Sequence, residues 1–219
     1  MKTNQDYKNA ALAALKGHWA PAVLCSVIYM IIAVISSIVM EFVNPETTSS
    51  GVLVTVSLSM MCLSFVVLMP LQVGYYNTHK ELLINGDDAL TGNMFRISFG
   101  RWGRNIWGML LMGIFIFLWS LLLIIPGIIK SFAYALTPFI LADYPELSAN
   151  EAINLSQKMM KGHKFDCFWL CLSFIGWILL GVLTLCIGYF WLMPYMYTSI
   201  AAFYQDVKAD YEMNNNIID

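Results

Sequence analysis

Residues 119–143 read WSLLLIIPGIIKSFAYALTPFILAD. They close an apolar stretch of 38 residues, Asn105 to Ala142, in which Lys130 is the sole charge. As one helix it would be ~57 Å long at 1.5 Å per residue, far beyond a hydrocarbon core of about 30 Å. The chain must therefore fold back or leave the membrane. The flanking charges choose between these. Arg96, Arg101 and Arg104 lie before the stretch, and Lys158, Lys161 and Lys164 lie after it. Cytoplasmic loops collect Lys and Arg, so both flanks belong on one side. That predicts a hairpin with its tip at Pro126-Gly127 and spans of about 105–125 and 128–142. The second span is short and must be tilted or sheltered by its neighbours.

Outward from this hairpin the same grammar repeats. The chain has 219 residues, 59% hydrophobic and 12% charged, against about a quarter charged in a soluble domain. Spans are predicted at about 19–40 and 52–76 before the middle hairpin, and at about 167–185 and 189–204 after it, with a turn near Cys186 to Gly188. The polar lead before Trp19 is too long for a signal peptide and carries Asp6, so the first span is read as uncleaved. The fold class is an all-α polytopic membrane bundle of six transmembrane helices in three hairpins, a single integral membrane domain with both termini cytoplasmic. Eleven of the twelve Lys and Arg residues then face the cytoplasm, Lys130 being the exception.

Two amphipathic helices are predicted on that face. In 4–17, Tyr7, Ala10, Ala11, Ala14 and Leu15 share one side, with Lys8 off it. In 149–161, Ser148 and Glu151 form a capping box, and Gly162 ends the helix. Each could lie on anionic lipid or dock a partner. The headgroup-level cations are Arg96, Arg101, Arg104, Lys158, Lys161 and Lys164. The tail 206–219 is polar. A threefold pattern links the hairpins: each lead ends in a glycine beside a cation (Gly17, Gly103, Gly162), and each second helix holds a proline (Pro70, Pro138, Pro194). Each proline frees the carbonyl four residues back, at Val66, Tyr134 and Phe190, and in hydrocarbon that group needs a partner. A packed kink and a broken helix around a substrate path both satisfy this.

Lys130 is the one ionisable side chain in the predicted spans, a functional position by default. Snorkelling to the outer headgroups, pairing with Glu41 or Glu46, and a transport role are its three readings. Pro126, Gly127, Pro138 and Pro194 are the other intramembrane positions of interest. His18, His79 and His163 fall near the cytoplasmic interface and suit solvated roles. The cysteines read as small hydrophobes, Cys167 and Cys171 being an i,i+4 pair. No catalytic, cofactor or metal motif is present, and a net charge of −2 gives no reason to expect nucleic acid.

Several motifs carry a resemblance: IIPGIIK at Ile124 to Lys130, Tyr134, NEAINLSQKMMKGHK at Asn150 to Lys164, LSFIGW at Leu172 to Trp177 and WLMPY at Trp191 to Tyr195. With these the chain resembles a bacterial integral-membrane family of unknown function, domain of unknown function 975. The N-terminal lead and first span also fit. The resemblance implies a bacterial cytoplasmic-membrane protein and brings no activity or site residues. The expectation is a non-enzymatic membrane component that binds lipid or partner proteins, as a monomer or homo-oligomer; the alternative is a small solute transporter or permease.

Overall fold

The computed structural model describes residues 2–38, 50–184 and 187–216. Glu41, Glu46, most of the first hairpin's connection and Cys186 in the predicted third turn lie outside them. The described residues form eleven helical segments: α1 (Asn4–Leu15), α2 (Trp19–Ile38), α3 (Ser50–Asn85), α4 (Leu90–Gly100), α5 (Trp102–Leu122), α6 (Ile124–Tyr134), α7 (Thr137–Asp143), α8 (Ala149–Met159), α9 (Lys164–Leu172), α10 (Ile175–Leu183) and α11 (Tyr189–Asn216). Among the described residues, three stretches are long and apolar enough to cross a membrane: Trp102–Leu122, Ile124–Asp143 and Lys164–Leu183. The pair α1 and α2 also qualifies if taken together, but it is bent by 100°.

The middle hairpin turns earlier than its Pro-Gly signal suggests. Leu123 is extended (φ −162°, ψ 144°), and α6 begins at Ile124. Pro126 therefore sits in the first helical turn, where backbone N–H groups have no intrahelical acceptor and its missing donor costs nothing. Gly127 is needed for closeness: a Cβ there would overlap Ser120 of α5. Pro138 behaves like Pro126. It lies in the first turn of α7, after a break at Ala135 and Leu136, and starts a helix rather than kinking one. Pro70 and Pro194 are the two that remain inside continuous helices, α3 and α11.

The third hairpin's first arm is also broken, at Ser173 and Phe174 between α9 and α10. Lys8, placed by its spacing on the polar side of α1, is buried. Its Nζ donates to Ser173 O at 2.9 Å and lies 4.5 Å from the Phe174 ring centroid. A cation at a helix C-terminus is favoured by the carbonyls exposed there.

The three lead helices follow one rule. α4 doubles back along α3, α8 packs on α7, and α1 packs on α11, closing the cycle. Thr3, Ala89 and Ser148 are their N-caps, and Gly17, Gly103 and Gly162 follow at equal spacing. Thr3 and Ser148 each complete a capping box, with Asp6 and Glu151. Gly17 (φ 91°) and Gly162 (φ 96°) adopt the left-handed conformation that an L side chain resists. The largest buried cluster joins Tyr7 of α1, Val73 of α3, Phe139 and Leu141 of α7, Met159 of α8 and Phe203 of α11. A second cluster, with Leu15, Cys25, Tyr75 and Met94, ties α2 to α3 and α4.

Candidate functional site

Four consecutive polar residues of α3, Asn77 to Lys80, are buried. Burial of such groups is tolerated when each finds a partner. Asn77 Nδ2 donates to Val73 O at 2.8 Å and to Pro138 O at 2.7 Å, tying α3 to α7. Thr78 Oγ1 donates to Leu90 O at 2.7 Å. The close approach of α4 depends on Gly74, where a Cβ would overlap Met94 O and Ser98 Oγ. His79, expected near solvent, is fully enclosed. It packs edge-on to Tyr75, and its Nδ1 is 3.4 Å from Thr198 Oγ1. Burial lowers its pKa to about 3, so the imidazole is neutral at pH 7.

Lys80 completes the run by bonding to Asp143 Oδ1. Asp143 Oδ2 accepts from Tyr204 Oη at 2.8 Å and Lys208 Nζ at 3.1 Å. One carboxylate at the end of α7 thus joins it to α3 and α11, one helix from each hairpin. Burial disfavours the Lys208 ammonium, but the Asp143 charge and hydrogen bond outweigh it and raise its pKa. Nothing local in the sequence marks this cluster, because Lys80 and Asp143 are 63 residues apart.

Beside the cluster lies a polar cleft of ≈ 520 Å³ between α3, α4, the start of α5 and α7, bordered by Asn77, Lys80, Glu81, Arg96, Arg101, Asn105 and Asp143. Arg96 and Arg101 are exposed at it. Arg96 Nη2 donates to Asn93 Oδ1 at 2.9 Å, and Arg101 Nη1 donates to Pro145 O. Arg104 is turned inward: its three nitrogens donate to Leu141 O, Tyr144 O and Leu147 O, each at 2.7 Å. That fork closes the carboxyl end of α7. Asn105 Nδ2 donates to Ile97 O and Ser98 O, both at 3.0 Å, and closes the end of α4.

Among the described residues Lys130 is half-buried and has a neutral partner; its pairing with Glu41 or Glu46 lies outside them. Its Nζ donates to Gln157 Oε1 of α8 at 2.7 Å and sits 4.7 Å from the Trp119 ring and 5.6 Å from the Tyr134 ring. Ser156 Oγ, next to Gln157, donates to Ala133 O at 2.9 Å, so α8 grips α6 at two adjacent residues. Lys158 and Lys161 are exposed, and Lys164 is half-buried at the start of α9. His163 lies 3.1 Å from Asp210, and His18 contacts Asp88. Pro138 borders a second cavity of ≈ 250 Å³, shared with Gln72, Tyr76, Ser131, Cys167 and Cys171. Pro194 passes its own carbonyl to Thr198 Oγ1 at 2.7 Å.

Among the described residues these features define an all-helical fold with three stretches apolar enough for membrane spans. Residues 103–211 match the family model described as protein of unknown function (DUF975), and this stretch is a domain of that family. The match takes in the IIPGIIK, KGHK and WLMPY motifs but leaves the N-terminal lead and first hairpin outside it. No curated protein and no solved structure matches the chain.

Proposed function

We propose that the chain is a six-span protein of a bacterial cytoplasmic membrane, with both termini inside. It acts as a non-enzymatic component that binds lipid or partner proteins at its cytoplasmic face. One observation carries this reading: the hairpin of α5 with α6 and α7 presents opposite chemistry at its two ends. At the tip, Leu121 to Ile125 are 67–75% exposed, an uncovered apolar run that a bilayer would cover. At the other end Arg101, Arg104 and Asp143 gather beside the polar cleft. Single-cysteine labelling on a cysteine-free background tests the orientation. Position 46 is expected to label from outside and positions 87 and 150 from inside. Labelling of position 150 from outside would overturn it.

The second reading, a small solute permease, draws support from the cavity at Pro138, which α3, α5, α6, α7, α9 and α11 all border. Solute flux in vesicles reconstituted with the purified protein would favour it. Retained lipid or a stable partner, without flux, favours the first reading.

A further inference from the structure

We infer that the cleft between α3, α4 and α7 binds an anionic phosphate group, presented either by a phospholipid headgroup or as free phosphate. The inference rests on the lipid-binding reading and names the site and chemistry. At ≈ 520 Å³ the cleft falls in the ordinary range for small-ligand sites. Its cations are arranged at two depths. Lys80 is almost fully buried at the floor, while Arg96 and Arg101 are exposed at the mouth.

A guanidinium carries five N–H donors in a planar fork suited to phosphate. Arg96 and Arg101 each spend one nitrogen on the protein and keep donors for a ligand. The two carboxylates offset only part of this field, since Lys80, Lys208, Arg96 and Arg101 face Asp143 and Glu81. Both oxygens of Asp143 are occupied, by Lys80 on one side and by Tyr204 and Lys208 on the other. Glu81 Oε2 accepts from Asn85 at 2.7 Å.

A second, independent observation concerns Asn77. This fully buried side chain borders the cleft, and its Oδ1 has no hydrogen-bond partner. Its Nδ2 is fixed by two carbonyls, so the amide cannot turn over without opposing them. A buried acceptor without a donor is costly. A hydroxyl on the bound group, whether on a headgroup or on hydrogen phosphate, would supply that donor. Phe99 and Trp102, both over 40% exposed on the same α4–α5 corner, suit the headgroup level of a membrane.

The test uses the full chain purified in detergent, with thermal unfolding read against added dihexanoyl phosphatidylglycerol, dihexanoyl phosphatidylcholine, or sodium phosphate, each at matched ionic strength. Phosphatidylglycerol is expected to raise the midpoint and zwitterionic phosphatidylcholine is not. A rise with phosphate as well identifies the free anion as sufficient, and a rise with the lipid alone identifies the headgroup as the source. R96Q/R101Q should weaken the response at least tenfold while leaving the unliganded midpoint near that of the parent. E81Q should strengthen it several-fold, and it keeps the test decisive if the double variant folds poorly. The inference is overturned by no response to either anion, by an equal response to phosphatidylcholine, or by a response unchanged in both variants. Lipid retained at purification despite any of these outcomes would leave the broader reading standing and remove only this site.

Discussion

The indole N–H of Trp102 donates to the carbonyl oxygen of Val66 at 3.0 Å. Val66 lies four residues before Pro70, so its carbonyl has lost its helical donor. The side chain that replaces it comes from the junction of α4 and α5. A carbonyl freed by proline in the first hairpin is thereby satisfied from the start of the second.

Trp102 and Val66 are both exposed, so Trp102→Phe should cost about 1 kcal/mol, the net worth of an ordinary hydrogen bond. Pro70→Ala restores the backbone N–H, so in that background the same tryptophan change should cost distinctly less. A double-mutant cycle read by thermal unfolding in detergent measures the coupling. Additive costs would show that Trp102 acts through packing alone.

Asp143→Asn should be among the most damaging single changes, by about 3 kcal/mol, because it leaves the buried Lys80 with only the more distant Glu81 carboxylate, at 3.7 Å. The Lys80 side chain is only 5% exposed, against 25% for Lys208. Lys208→Ala should accordingly cost far less. Equal losses in the two variants would mean that the carboxylate is held chiefly from the α11 side.

His79 gives a pH dependence with a definite sign. Its pKa falls from 6.5 to about 3 because burial penalises the imidazolium. In that window the unfolded chain binds a proton that the folded chain refuses. The stability is complete above pH 6.5 and is lost as the pH falls toward 3, by roughly 1.4 kcal/mol per pH unit from this residue. Comparing unfolding midpoints at pH 7 and pH 5 should show the fall, and His79→Gln should flatten it.

Lys130→Met keeps the aliphatic stem but removes the donor to Gln157 and the cation beside Trp119. A loss of about 1–3 kcal/mol is expected, largely shared with Gln157→Ala when the two are combined. Full stability in Lys130→Met would return the residue to the class of functional candidates.

Much of the local structure is legible in the residues themselves. Ser148 and Glu151 start α8, and Gly162 ends its turn, because capping chemistry is decided within a few positions. The apolar runs locate the longer helices for the same reason. Pro126 misleads because a proline in the first turn of a helix and one in a reverse turn look alike in sequence; only the extended backbone of Leu123 separates them. Lys8, His79 and Arg104 mislead differently. Their polarity says surface, but their partners, Ser173, Thr198 and the end of α7, come from distant elements. Long-range pairing overrides residue type there, and the cleft is built from such pairs.

The packing of α1 against α11 sets an order of events during synthesis. Tyr7 Oη donates to Asp206 Oδ2 at 2.7 Å, and its ring meets Phe203 edge-on at 5.6 Å. The ribosome makes α1 well before α11. The apolar face of α1 must therefore wait, uncovered or chaperoned, until α11 arrives. Assembly of this unit is completed by a latch between residues 199 positions apart.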